Sequence, residues 1–273
     1  MAINSLSMLI PRRTFLAKAW TITWVSAIGV LMPSSPVKAQ TSTKPKHLED
    51  ALLLLEGLRW ENNNYQHGEP TVNWKGVNGA SDYESKTDCS GFMSKLLQHS
   101  YGDYFTDERF KQWMKKTRDR PLAEDFHYAI VNQKDFIQIK NLTQVQPGDI
   151  IAIEYPDGED NTGHVMLVVE TPKEIKAEPP LVKATKQWTV KVVDQSRSGH
   201  GTKDTRRIKD PQIKDVYCTK DDSFYCGLGE GTIRIYTYEE NDSLFGYTWS
   251  RFKNSEYYCP EERDLVVGRL SFN

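Results

Sequence analysis

Hydrophobic spacing divides the chain into a helical first part and a stranded second part. From His47 to Trp60, Leu48, Ala51, Leu52, Leu55 and Leu58 or Arg59 recur at helical intervals, with Glu49, Asp50 and Glu56 outside. That spacing predicts an amphipathic helix. Phe92, Met93, Leu96 and Leu97 form a second helical stripe, which Thr87 or Asp88 can cap. Residues 105–116 read as helical again, and residues 121–131 as a turn or short helix. The period then changes. Residues 135–140, 149–154, 164–170, 188–194, 232–238, 246–250 and 265–270 are short β-branched or aromatic runs that read as strands. Helices followed by strands predict an α+β fold with an antiparallel sheet. The run from Val165 to Val169 is apolar on both faces, as in a central buried strand. Three polar stretches read as long loops: 61–86, 171–187 and 195–231. Trp74 and Tyr83 in the first either line a groove or anchor the loop.

Residues 1–39 stand apart from this pattern. They hold no Asp or Glu and run from Pro11-Arg12-Arg13-Thr14-Phe15-Leu16 through an apolar stretch, Ala19 to Met32, to Val37-Lys38-Ala39. A charged start, an apolar run and a small-residue cleavage site predict an export signal. The arginine pair resembles a twin-arginine signal, departing from it at Pro11 and Ala17; the general secretory route is the alternative. The apolar run is too short and too rich in Thr, Ser and Gly for a stable membrane span of about 20 residues. A periplasmic or extracellular location follows as an expectation, with a flexible leader over 40–46 and a single domain over 47–273.

The chain of 273 residues carries a formal net charge of −2. Removing the signal takes away Arg12, Arg13, Lys18 and Lys38 and no acid, so the remainder is more acidic still. No basic field favours nucleic acid as a partner. The four cysteines are Cys89, Cys218, Cys226 and Cys259. Export permits disulfides. If Cys89 stays free, Cys218 and Cys226 can close a short loop, or Cys259 can take either one. Neither the Cys nor the His spacing makes a zinc signature, so no metal or cofactor is expected.

Cys89 carries the candidate chemistry. In the first turn of a helix it sits where unpaired N–H groups favour an anion and can later hold an oxyanion. Gly91, one turn in, suggests close approach by a substrate or a neighbouring strand. A nucleophilic thiol needs a base. His47, His67 and His127 offer no clear route to Cys89, and His99 lies too far along the same helix. His164 opens the central strand, well held and still able to reach solvent. Asp194 ends the strand 188–194; if the two strands are antiparallel, it falls beside His164 and can fix its tautomer. Gln195 and His200 are alternative orienters.

The ordered set Asp88-Cys89-Ser90-Gly91-Phe92, Pro147-Gly148-Asp149-Ile150-Ile151 and Gly163-His164-Val165, then a strand ending in a polar residue, resembles the NlpC-type cysteine peptidases. The resemblance covers about residues 80–200. It implies a circularly permuted papain-like fold, N-terminal helices packed on a central antiparallel sheet or half-barrel. It implies Cys89 as nucleophile, His164 as general base and acid, and Asp194 as the third residue, a position often filled by His. It further implies that Asp88 holds a substrate amine and Ser90 a carboxylate or amide. Thr87 stands where the family often has Tyr, and the interval from Cys89 to Pro147 is longer than usual. The expected activity is hydrolysis of a peptide stem of bacterial cell wall by a monomer without cofactor. The rivals are an amidase or acyltransferase acting on another amide or ester, and a non-catalytic exported binding protein.

Overall fold

The computed structural model describes residues 44–207 and 225–272. The expected export signal, most of the leader, residues 208–224 of the third long loop and Cys218 lie outside them. The described residues fall within one compact unit.

Among the described residues, four α-helices precede the main sheet: α1 (Lys46–Gly57), α2 (Cys89–Tyr101), α3 (Asp107–Lys111) and α4 (Ala123–Val131). α1 buries Leu48, Ala51 and Leu54 against α2, and Trp74 anchors the following segment by donating to the Asp50 carbonyl at 2.9 Å. Tyr83 covers Gly57. Both aromatics therefore anchor their loop. α3 is shorter than its pattern predicts: Thr106 caps it, and the chain turns at Gln112 to sink Trp113 into the core.

The segment 61–86, expected to be a loop, forms a small sheet from β1 (Asn63–Tyr65), β2 (Thr71–Asn73) and β3 (Glu84–Thr87) in the order β1-β3-β2. β1 and β3 are parallel, with Tyr65 opposite Thr87. Strands of three or four polar residues carry too little alternation to be read from sequence.

The main sheet comprises β4 (Phe136–Ile139), β5 (Ile150–Glu154), β6 (Gly163–Val168), β7 (Lys173–Ile175), β8 (Thr185–Ser196), β9 (Gly227–Tyr238), β10 (Leu244–Thr248), β11 (Tyr257–Tyr258) and β12 (Asp264–Leu270). Its order is β11-β10-β9-β8-β6-β5-β12-β4, with β7 beside β8, and its pairings are antiparallel. β7 lies within a stretch read as loop, and β8 and β9 extend well into the two neighbouring loops as one long ribbon. One face packs the helices through Ile150, Ala152, Val165, Leu167 and Val193. The other encloses a second core of Ile151, Ile153, Met166, Val168, Val190, Val192 and Ile235. The sheet curls: Asn141, just past β4, bridges to Ser243, just before β10. This is the α+β, papain-like arrangement, with β6 buried along its whole length.

Candidate active site

α2 starts where the Asp88 carboxylate accepts the Gly91 N–H at 2.8 Å, so Asp88 is the cap and Cys89 the first helical residue. A Cβ on Gly91 would lie 2.1 Å from the Thr87 hydroxyl and 3.1 Å from Pro70. The cap and the preceding loop, both part of this chain, thus demand a glycine there. Cys89 is 5% exposed and carries a free thiol; so does Cys259, whereas Cys226 is disulfide-bonded.

β6 and β8 are antiparallel, with Leu167 opposite Val193. Asp194 follows Val193 on β8, and its Oδ2 is 2.6 Å from His164 Nε2. Cys89 lies near enough to His164 for its charge to act on the ring. With Nε2 turned to Asp194, Nδ1 is the nitrogen left for the sulfur. The structure therefore brings Cys89, His164 and Asp194 together, with His164 hydrogen-bonded to Asp194 and close to the Cys89 sulfur. Gln195 points to the opposite face. Its amide donates to the Asn64 carbonyl at 2.6 Å and accepts from Ser85 at 2.8 Å, which ties the small sheet to the end of β8.

His200 joins this set instead of replacing Asp194. Its Nε2 is 2.9 Å from the same Oδ2, and its Nδ1 is 3.0 Å from the Trp249 carbonyl. Arg206 closes the far side, donating to Asp194 Oδ1 at 2.9 Å and to Asp204 at 2.8 and 2.9 Å. Trp249 presents its face or edge to both imidazoles, 5.3 Å from His164 and 5.7 Å from His200. Arg206, Asp204 and Trp249 carried no sequence signal, because each acts through a contact made by a different element.

Electrostatics follow from this packing. Burial alone would raise the Asp194 pKa, yet the charges of Arg206 and His200 and the hydrogen bonds from both imidazoles hold it well below the usual carboxylate range. Burial would likewise depress His164, but Cys89 and Asp194 outweigh it and push its pKa up to about 10. The arrangement favours an imidazolium between a sulfur and a carboxylate near neutral pH. Among the described residues, His164, Asp194 and His200 offer ligand atoms within 4.8 Å of one another. The Arg206 guanidinium on the same carboxylate opposes a cation there.

His47, His99 and His127 serve elsewhere. His47 bonds the Gly148 carbonyl at 2.7 Å, His99 stacks on Trp74 at 3.8 Å, and His127 sits between Glu154 and Asp264. His67 lies 3.4 Å from Asp88. Asp88 also binds Arg120 at 2.5 Å, and Arg120 donates to the Ser90 hydroxyl at 2.9 Å. Among the described residues, no helix is long and apolar enough to cross a membrane.

A model of the NlpC/P60 family matches residues 64–200, just over half of the chain. "Uncharacterized protein R653" of Acanthamoeba polyphaga mimivirus is 34% identical over 239 residues, which cover 84% of this chain and 98% of that relative. No solved structure matches significantly.

Proposed function

Because the chain belongs to the NlpC/P60 family, and is therefore an enzyme of the cysteine peptidase or hydrolase kind, we propose that it is exported and cleaves an amide bond in a cell-wall peptide stem. In this reading Cys89 is the nucleophile, His164 the general base and acid, and Asp194 the residue that orients the imidazole. The observation that carries it is a free Cys89 thiol at the head of α2 beside a His164 ring that is hydrogen-bonded to the buried Asp194 carboxylate. A satisfied structural histidine has no need of a free thiol beside its ring.

The Cys89 sulfur attacks the amide carbon, forming the S–C bond as the carbonyl electron pair moves to oxygen. That oxyanion is held by the Cys89 backbone N–H, which as the first of α2 has no acceptor within the helix. The His164 Nδ1 proton passes to the leaving nitrogen as the C–N bond breaks. Water, losing a proton to the same Nδ1, then attacks the thioester, and the C–S bond breaks to regenerate the thiolate and imidazolium. Asp194 keeps Nε2 as a donor throughout, so the ring presents Nδ1 to the reaction.

Cys89→Ala tests the assignment. Amide hydrolysis of purified wall fragments should fall to background while circular dichroism and melting temperature stay close to wild type. Full activity in that variant would overturn it. Mass analysis of the products separates a stem-peptide cut from amidase or acyl-transfer chemistry on another amide or ester. Finding the mature protein in the periplasm or medium, cut near Ala39, tests export.

A further inference from the structure

We propose that the recess beside Cys89 selects a substrate bearing a negative charge, not a free amine, next to the bond it cuts, and that Arg120 sets this preference. The proposal rests on Cys89 being the nucleophile.

Asp88 is the acid that adjoins Cys89, and its carboxylate is already engaged. Oδ1 accepts from the Gly91 N–H at 2.8 Å and from the Ser90 hydroxyl at 3.1 Å. Oδ2 accepts from Arg120 Nη2 at 2.5 Å and faces His67 Nδ1 at 3.4 Å. Four partners use about all the acceptor sites a carboxylate has. At 5% exposure, Asp88 meets little water that an ammonium could displace. An incoming amine would have to dislodge a guanidinium in direct contact, and the two cations repel.

Arg120 keeps binding capacity. Its Nη1 goes to the Ser90 hydroxyl and, at 3.4 Å, to the Pro121 carbonyl, while Nη2 goes to Asp88. Nε–H and one Nη2 proton remain, since the fork carries five donors. The side chain is 21% exposed and lines a cavity of about 640 Å3 with Gly68, Pro70, Ser94 and Leu122. The same cavity is also lined by the acids Glu69, Asp107 and Asp119 and by the cations Lys95 and Arg118.

A second cation stands on the other side. Arg197, exposed, lies 5.5 Å over the ring of Tyr65, which meets His67 edge-on at 5.4 Å. Tyr65 lies near enough to Cys89, Asp88 and Arg197 for the charges of all three to act on its hydroxyl. Asp88 is already paired with Arg120, so the donors left free beside it are those of a guanidinium, with the Arg197 guanidinium over the neighbouring Tyr65 ring. Ser90 and Asp88 then act as positioning residues for Arg120. The preferred ligand is an acidic peptide whose amine is blocked.

Matched dipeptidyl acyloxymethyl ketones, differing only in a terminal nitrogen that is a free ammonium, acetylated or succinylated, provide the test. The readout is the second-order rate of Cys89 labelling in the full chain. A charge-assisted hydrogen bond predicts that the succinyl probe outpaces the ammonium probe by about tenfold or more, a ratio that shrinks with added salt. Arg120→Gln should bring the ratio close to one, and Arg120→Lys should keep much of it. Arg197→Gln, on the exposed side, should lower it without disturbing Asp88. An ammonium probe that reacts as fast as the succinyl probe, or a ratio unchanged in Arg120→Gln, overturns the proposal. If all three probes react no faster with Cys89 than with a free thiol, the nucleophile assignment itself fails, and this proposal with it.

Discussion

At the scale of single residues, the site turns on one carboxylate. Asp194 is fully buried and holds two imidazoles on one oxygen and a guanidinium on the other. Removing one partner of such a set leaves uncompensated charge in a low dielectric. Asp194→Ala is therefore expected to destabilise the protein by about 3–5 kcal/mol, measured by urea denaturation, and to lower kcat as well. Asp194→Asn preserves the shape and should lose less stability while still mis-setting the ring proton. The residues of this site that could be read in the sequence were those whose chemistry is local: a thiol at a helix start, a histidine opening an apolar strand, an acid closing another. Arg206 could not be read, because its role comes from a fold that lays it against Asp194.

At the scale of elements, β9 explains why the segment 200–206 can reach the site. Gly229 and Gly231 alternate along one face of the strand, and Arg206 and Asp204 occupy the space their side chains would take. A Cβ on Gly229 would sit 2.5 Å from Arg206 Nε, and one on Gly231 would sit 2.3 Å from an Asp204 oxygen. Gly229→Ala should therefore push the guanidinium off Asp194. Overpacking of this kind costs about 1–3 kcal/mol, and differential scanning calorimetry with a parallel rate measurement should show stability and kcat falling together. A stable, fully active Gly229→Ala would show that Arg206 is not needed to hold Asp194. The same element shows the limit of period-based reading. Its glycines interrupt the β-branched pattern, so the strand was expected only from Thr232, whereas pairing with β8 extends it to Gly227.

At the scale of the whole molecule, the buried charges couple stability to pH. His164 has its folded pKa raised to about 10, above the unfolded value of 6.5. It contributes stability that is fully present below pH 6.5 and is lost as pH rises through about 10. Asp194 has its folded pKa depressed, so its contribution is present above its ordinary value of 3.8 and is lost as pH falls below it. The melting temperature should therefore decline between pH 6.5 and 10, and His164→Ala should flatten that decline from a lower starting value. A wild-type curve flat across this window would contradict the imidazolium. What the sequence determined by itself was the class of the fold and the order of its parts, because helical and strand periods are properties of neighbouring residues. It also offered Cys89, His164 and Asp194 as candidates, because a thiol at a helix start, a histidine at the mouth of an apolar strand and an acid late in another are local features. Only the tertiary structure decided which groups share the site. It set His200, Arg206 and Trp249 around Asp194 and His164, gave Gln195 to the small sheet, and turned Asp88 toward Arg120. The physical reason is that hydrogen bonds and ion pairs act over a few ångströms in space, and residues far apart along the chain come within that range only after the sheet has curled and its loops have been laid across it.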